Sequence, residues 1–231
     1  MDSCLWCNET LTMQVYWQSF IIGRQSSSIC QRCLNQLSLI SGKVCGKCCR
    51  PIKRNLCSDC HQWDLLYGGE DPLTKNISTY RYNEFMKEII VKWKYRGDYE
   101  LFNLFKQDIL SSKTKFSQLG IKDASLVPIP LSEERIYERG FNQTLPIANL
   151  LASPDWKVEQ ILERTHSEKQ SKKSRSERIM TNNPFKLRKK PNKIVILVDD
   201  IYTTGITLRH AANLLKQSGV TVIYSYSLIR G

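Results

Sequence analysis

Ile194-Val195-Ile196-Leu197-Val198-Asp199-Asp200-Ile201-Tyr202-Thr203-Thr204-Gly205-Ile206-Thr207-Leu208 carries three local instructions in one run. Five consecutive aliphatic residues, most of them β-branched, favour a strand buried on both faces, as in parallel sheets. Two carboxylates follow, then a threonine- and glycine-bearing turn. From Leu208 the apolar spacing of Leu208-Arg-His-Ala-Ala-Asn-Leu-Leu-Lys-Gln217 is that of a helix. Strand, acidic pair, turn and helix start in this order predict an α/β sheet with an anion cradle. Backbone N–H groups are free at the turn and the helix start, threonine hydroxyls add donors, and Gly205 lets the backbone approach closely. No Gly-x-x-x-x-Gly-Lys-[Ser/Thr] precedes the helix, so this is not a nucleoside-triphosphate loop of that type. Two adjacent acids repel a phosphate unless hydroxyl groups or a divalent cation engage them. A sugar phosphate meets both needs, with its hydroxyls on Asp199 and Asp200 and its phosphate on Thr203 to Thr207. A buried strand ending in a capped helix would explain the threonines but not the paired carboxylates.

Upstream, Ala124-Ser-Leu-Val-Pro-Ile-Pro130 reads as a second strand, running into a loop stiffened by proline. Loops at strand C-termini are favoured ligand sites in open α/β sheets. The chain continues through Arg135, Arg139, Asn142 and Gln143, all phosphate or sugar donors by type, and Asn142 to Leu151 has the pattern of an amphipathic helix. Between Thr79 and Leu110, Phe85, Ile89, Trp93, Leu101, Leu104 and Phe105 recur at helical spacing, which predicts two helices broken near Gly97. Lys92-Trp93-Lys94-Tyr95-Arg96 before that break mixes cations with aromatics. Such a mixture suits stacking on bases or phosphates, and equally a solvated basic turn with core aromatics.

The N-terminal quarter is read differently. All nine cysteines precede residue 61, and eight form four Cys-x-x-Cys pairs: Cys4/Cys7, Cys30/Cys33, Cys45/Cys48 and Cys57/Cys60. A two-residue gap lets a knuckle aim two sulfurs at one ion, and two pairs complete a tetrahedral shell, so two structural Zn²⁺ sites are predicted. Chain order assigns Cys4, Cys7, Cys30 and Cys33 to one and Cys45, Cys48, Cys57 and Cys60 to the other, with interleaved pairing left open. Redox Cys-x-x-Cys motifs occur singly, and buried thiols have no reason to pair at fixed spacing. Cys49 stands where a knuckle often has glycine and is read as a free thiol.

Lys and Arg number 34 against 22 Asp and Glu, a net charge of +12. Nine units of that excess lie between Arg164 and Lys193. The stretch Glu168 to Glu177 has almost no apolar residue and is expected to be a flexible loop, suited to closing over a polyanion or lying on a nucleic-acid backbone. Two sites of four thiolates and one Zn²⁺ would lower the total to about +8. At 41% hydrophobic residues, wholesale disorder is excluded. No secretory signal is visible, and no window approaches the roughly 18–20 apolar residues of a membrane helix, so a cytoplasmic protein is expected.

The run from Ile194 to Thr207 resembles the signature of type I phosphoribosyltransferases. Four further features make the chain similar to the ComF family of competence-associated, phosphoribosyltransferase-like proteins: the double zinc-ribbon start, Val127-Pro-Ile-Pro130, Arg139-Gly-Phe-Asn-Gln143, and a Gln170 to Arg178 loop before the terminal motif. The resemblance implies a zinc-ribbon module over residues 1–62 and a Rossmann-like phosphoribosyltransferase domain over 63–231, with a helical part at 79–112 and a flexible basic loop at 164–193. It implies binding of Mg²⁺ with phosphoribosyl pyrophosphate (PRPP). Asp199 and Asp200 would hold ribose hydroxyls and serve catalysis, while Thr203, Thr204, Gly205, Ile206 and Thr207 would anchor the 5′-phosphate. Arg139, Asn142, Gln143, Gln170 and Arg178 would face the rest of the ligand. The implied setting is DNA uptake in natural transformation, with an unspecified acceptor. The competing expectation is an adaptor for single-stranded DNA and DNA-uptake machinery, with a sensory or vestigial PRPP site.

Overall fold

The computed structural model describes residues 3–11, 28–95, 98–165 and 183–231. Its centre is a five-stranded parallel sheet. In chain order the strands are β1 (Lys75–Arg81), β2 (Ala124–Pro128), β3 (Trp156–Val158), β6 (Ile194–Tyr202) and β7 (Val222–Arg230), arranged β1-β7-β6-β2-β3. A separate antiparallel pair, β4 (Leu162–Arg164) with β5 (Phe185–Leu187), brackets the basic stretch, and Gln170 to Arg178 lie outside the described residues.

The predicted strand from Ile194 is present and longer than the aliphatic run. β6 continues through both acids to Tyr202, because β7 keeps pairing with it: Asp199 is opposite Ser227 and Ile201 opposite Ile229. Both faces of the sheet are covered. Ile196 and Val198 join a core with Met86, Ile89, Trp93 and Phe105, whereas Val195 and Leu197 point to the opposite core with Leu208, Ala211 and Leu215. This alternation is the two-residue period of a strand.

The helical pattern predicted from Thr79 differs in detail. Thr79 to Arg81 complete β1, and the helix α3 begins at Glu84 and runs to Tyr95. Leu101, Leu104 and Phe105 lie on a 3₁₀ turn (Tyr99–Phe105) leading into α4 (Lys106–Ser117). Arg96 and Gly97 are outside the described residues. Trp93 is fully buried and stacks on Phe102 at 5.9 Å, so of the two readings of the Lys92 to Arg96 run the core reading holds for this ring. Next come α5 (Glu133–Arg139), α6 (Thr144–Leu151) and α7 (Ile206–Gln217).

The cysteine region is an internal repeat, which the spacing alone did not reveal. Cys4 N donates to Glu9 O and Asn8 N to Cys4 O; Cys45 N donates to Arg50 O and Cys49 N to Cys45 O in the same way. Each knuckle is closed by one antiparallel bridge, Ser3 to Thr10 and Val44 to Pro51. Both place a non-glycine residue at positive φ, Asn8 at 59° and Cys49 at 63°, the left-handed position expected of Cys49. In each repeat the second cysteine pair sits at the start of a helix, α1 (Gln31–Leu34) or α2 (Ser58–Leu66). Between the repeats, Leu39 bridges Tyr80 and Ile40 N bonds Thr79 O, covering the outer edge of β1.

Candidate functional site

The strand order defines a crevice before any residue is considered. From β6 the chain crosses to β7 on one side, and from β2 it crosses to β3 on the other, so the winding reverses between β2 and β6. Ligands of open parallel sheets bind outside the strand C-termini at such a reversal. Here those termini are Pro128 of β2 and the Asp199 to Tyr202 end of β6.

The two acids are held in unlike ways. Asp200 is paired with the ammonium of Lys94, a lysine on the core-facing side of α3 alongside Ile90 and Trp93. Asp199 accepts the backbone N–H of Asp200 at 2.9 Å. Burial first, and repulsion from Asp200 second, push the Asp199 carboxyl up to about 7; Lys94 and Arg164 act in the opposite sense. Arg164 enters from β4, with its guanidinium carbon 5.5 Å from the Phe185 ring centre, and is itself pulled down by burial and by Arg135 of α5. The site therefore joins β6, α3, β4 and α5.

Next to the acids, Thr203 is exposed and Thr204, Ile206 and Thr207 are half-buried at the start of α7. No side chain caps that helix, so its first N–H groups are available to an anion. Gly205 is the N-cap at φ 78°, and a Cβ there would lie 2.3 Å from the Tyr202 hydroxyl and 2.5 Å from Arg209 Nη1. Only glycine fits. Behind the turn, Arg209 is buried with Asp71 in a two-point ion pair (2.7 and 3.1 Å) and donates to Tyr202 at 2.9 Å. A buried, hydrogen-bonded pair of this kind fixes geometry more than it adds stability.

The donors between β2 and α6 have other engagements. Asn142 donates to Ile129 O at 3.0 Å and accepts from Thr144 N at 3.1 Å, tying the β2 loop to the start of α6. Arg139 lies over the Tyr95 ring at 5.1 Å and donates to Gln143 Oε1 at 3.1 Å. Arg139 Nε and Gln143 Nε2 are buried without a partner among the described residues. Two unsatisfied donors in one motif leave capacity for an acceptor.

The sulfurs assemble as chain order predicts: Cys4, Cys7, Cys30 and Cys33 in one group, Cys45, Cys48, Cys57 and Cys60 in the other, each with all Sγ atoms within 4.8 Å of one another. A tetrahedral Zn–S₄ site has sulfurs about 3.8 Å apart. Cys7 and Cys30 stand at 3.7 Å, Cys48 and Cys57 at 3.5 Å. Both groups fit a metal ion, consistent with zinc. The Cys48 thiol is held down to about 4, chiefly by its bond with Cys60 and also by Arg230, against burial.

Sequence reasoning did not single out Lys94 or Arg164, which it named only within basic runs, nor Trp63, Arg209 or Arg230. A signal existed for two of them: Lys94 and Arg209 lie on otherwise apolar helix faces, a position that requires a buried partner.

A parallel sheet with paired acids and a glycine-capped helix at its winding reversal defines a phosphoribosyltransferase-type α/β protein, and the phosphoribosyl transferase domain model matches residues 146–231. Over 231 residues the chain is 38% identical to competence protein ComFC of Bacillus subtilis (strain 168), covering 98% of this chain and 94% of that one. Against competence protein ComFC of Streptococcus pneumoniae (strain ATCC BAA-255 / R6) the identity is 30%, with 98% and 99% covered. The chain belongs to the ComFC family of competence proteins. Among solved structures, a hypoxanthine phosphoribosyltransferase from Staphylococcus aureus overlaps at 16% identity and a TM-score of 0.33, over 54% of this chain and 64% of its own. The fold assignment rests on the sheet order and the family, not on that overlap. No helix among the described residues is long and apolar enough to cross a membrane.

Proposed function

We propose that the protein binds Mg²⁺ with PRPP at the β2/β6 crevice and acts as a phosphoribosyltransferase in DNA uptake during natural transformation, with zinc in both cysteine groups. The observation that carries this reading is the end of β6: two adjacent carboxylates at the winding reversal, followed by a helix start that tolerates no side chain at Gly205. Asp199 and Asp200 would engage the ribose hydroxyls, and Thr203 to Thr207 the 5′-phosphate. Arg164, Arg135 and Arg139 approach from β4 and α5, where departing pyrophosphate gains charge; donors aimed there lower the barrier more than they tighten ground-state binding. Magnesium would supply further charge neutralisation on the pyrophosphate. Lys94 pairs with Asp200 and orients its carboxylate before the ligand arrives. The family's competence role supplies the setting.

Calorimetric titration of PRPP with and without Mg²⁺, in wild type and in Asp199→Asn/Asp200→Asn, tests this. Mg²⁺-dependent binding lost in the double variant is expected; binding indifferent to both acids contradicts it. Products trapped from labelled PRPP incubated with bases, nucleotides and DNA would identify the acceptor.

A second reading, a single-stranded DNA adaptor, is favoured by one feature. A cleft of about 740 Å³ beside the second cysteine group is lined by Arg50, Lys53, Arg54 and His61 with apolar Ile52 and Leu56. Cations beside apolar walls suit phosphates and bases. Charge reversal of Lys53 and Arg54 should weaken DNA binding and flatten its salt dependence if the cleft is used.

A further inference from the structure

The rear of the Tyr202 to Gly205 turn is pinned carbonyl by carbonyl. Tyr202 O accepts from Arg230 Nη1 at 3.2 Å and Thr203 O accepts from the same nitrogen at 3.0 Å. Thr204 O accepts from the Trp63 indole N–H at 3.0 Å. A trans peptide unit is planar, with its C=O and N–H pointing in opposite directions. Fixing the carbonyls of residues 202, 203 and 204 backwards therefore turns the N–H groups of Thr203, Thr204 and Gly205 forwards, into the crevice. That is the arrangement of an anion-binding nest.

Both pinning groups are tied to the second cysteine group. Arg230 is 3% exposed; its Nε donates to Cys48 O at 3.1 Å, its Nη2 to Cys48 Sγ at 3.3 Å, and it lies 4.7 Å over the Tyr202 ring. Trp63 stands on α2 one turn beyond Cys60, with the Arg209 guanidinium 4.3 Å over its ring. Within the same knuckle, Lys47 pairs with Asp64 of α2 and lies 3.8 Å from Asp71, the partner of Arg209. Arg230 thus donates to Cys48, to the Tyr202 and Thr203 carbonyls and to Gly231 O. Four thiolates with one Zn²⁺ would carry a net negative charge, and the Cys48 Sγ contact would set the Arg230 guanidinium against it.

We propose that the second cysteine group is part of the phosphate site: through Arg230 and Trp63, acting as positioning residues, it sets the direction of the Thr203, Thr204 and Gly205 amides. The proposal rests on reading that turn as a phosphate cradle. It goes further in assigning to the metal module a role in ligand binding rather than in folding alone. Because coupling between two sites is reciprocal, a phosphate on the turn should also hold the metal of the second group in place.

The test uses the full zinc-loaded chain as wild type, Arg230→Met, Arg230→Lys and Trp63→Phe. Backbone ¹⁵N relaxation should give order parameters of about 0.85 for Thr203 to Gly205 in wild type, falling below about 0.6 in Arg230→Met. Ribose 5-phosphate should bind about tenfold more weakly to that variant, the scale of losing charged hydrogen bonds. Arg230→Lys keeps the charge but not the planar fork, and should retain both zinc ions while loosening the turn. It serves in place of Arg230→Met if the latter does not fold. Trp63→Phe keeps a ring under Arg209 and should disturb Gly205 alone. With a colorimetric chelator, ribose 5-phosphate should slow the release of one of two zinc ions in wild type and of neither in the Arg230 variants. Unchanged order parameters in the folded Arg230 variants, or zinc release indifferent to ligand in a wild type that binds it, would overturn the proposal. A wild type that binds no ribose 5-phosphate refutes the phosphate reading instead, and the order parameters then still decide whether Arg230 and Trp63 fix the turn.

Discussion

Cys4, Cys7, Cys30 and Cys33 are held by the same knuckle, bridge and helix start as Cys45, Cys48, Cys57 and Cys60, yet the two groups keep different company. The first packs on α3, where Trp6 meets Phe85 edge-on at 5.3 Å and Lys92 lies 4.1 Å over the Trp6 ring. It belongs to the core on one face of the sheet. The second belongs to the core on the other face, shared with Leu208 and Leu215 of α7, and touches the carbonyls behind the turn through Arg230. Equal local geometry thus gives unequal consequences: one group braces an edge, the other backs a site. What separates them is the long-range neighbours of the knuckle, not its sequence.

Breaking that contrast gives the largest expected effect. Cys60→Ser should abolish cooperative unfolding of the whole chain, because losing a structural metal forfeits on the order of 10 kcal/mol, comparable to the roughly 5–15 kcal/mol stability of a typical domain. Cys7→Ser forfeits a metal of the same kind and should also lower stability, but whatever stays folded should bind ribose 5-phosphate within about twofold of wild type, because that group does not touch the turn. Calorimetry with zinc analysis distinguishes the two outcomes.

Gly205→Ala comes next. A Cβ 2.3 Å from the Tyr202 hydroxyl, added to a left-handed φ, should cost about 2–4 kcal/mol in denaturant unfolding, because Arg209 and Asp71 leave Tyr202 little room to move. Ligand affinity should fall with it. Mild destabilisation with intact binding would show that the turn is looser than its carbonyl bonds imply.

The smallest effect is a pH dependence with opposite signs for stability and binding. The Asp199 carboxyl is raised from 3.8 to about 7, so the folded chain holds a proton that the unfolded chain has released between those values. Its contribution to stability therefore declines as pH rises from about 4 to about 7 and is level above that. Asp199→Asn should remove this decline and melt slightly higher than wild type at pH 8. Binding of Mg²⁺ with PRPP needs the ionised carboxylate, so affinity should rise through about pH 7, with proton release on binding below it. Titrations in buffers of different ionisation enthalpy report that proton.

How much of this was legible in sequence follows from the range of each interaction. The β6 strand, its acids and the Gly205 turn were readable because strand, turn and helix signals lie within fifteen consecutive residues. The two metal groups were readable because Cys-x-x-Cys is itself a geometric statement. Arg230 was not. It is the last residue of β7, and its partners Cys48 and Thr203 are 182 and 27 residues away. The end of β1 was read as helix because Thr79 to Arg81 precede a strong helical period with no glycine or proline between them. Trp93 left two readings open because cation–aromatic runs arise both on surfaces and at the rim of a core.

The central claim, that the Thr203 to Thr207 turn is a phosphate cradle governed by Asp199 and Asp200, is tested most directly by amide chemical shifts. Ribose 5-phosphate titrated into ¹⁵N-labelled chain with Mg²⁺ should move the amides of residues 203 to 207 first and furthest, and leave them still in the Gly205→Ala variant. Shifts centred instead on Arg50 to Arg54, with the turn unmoved, would contradict the account.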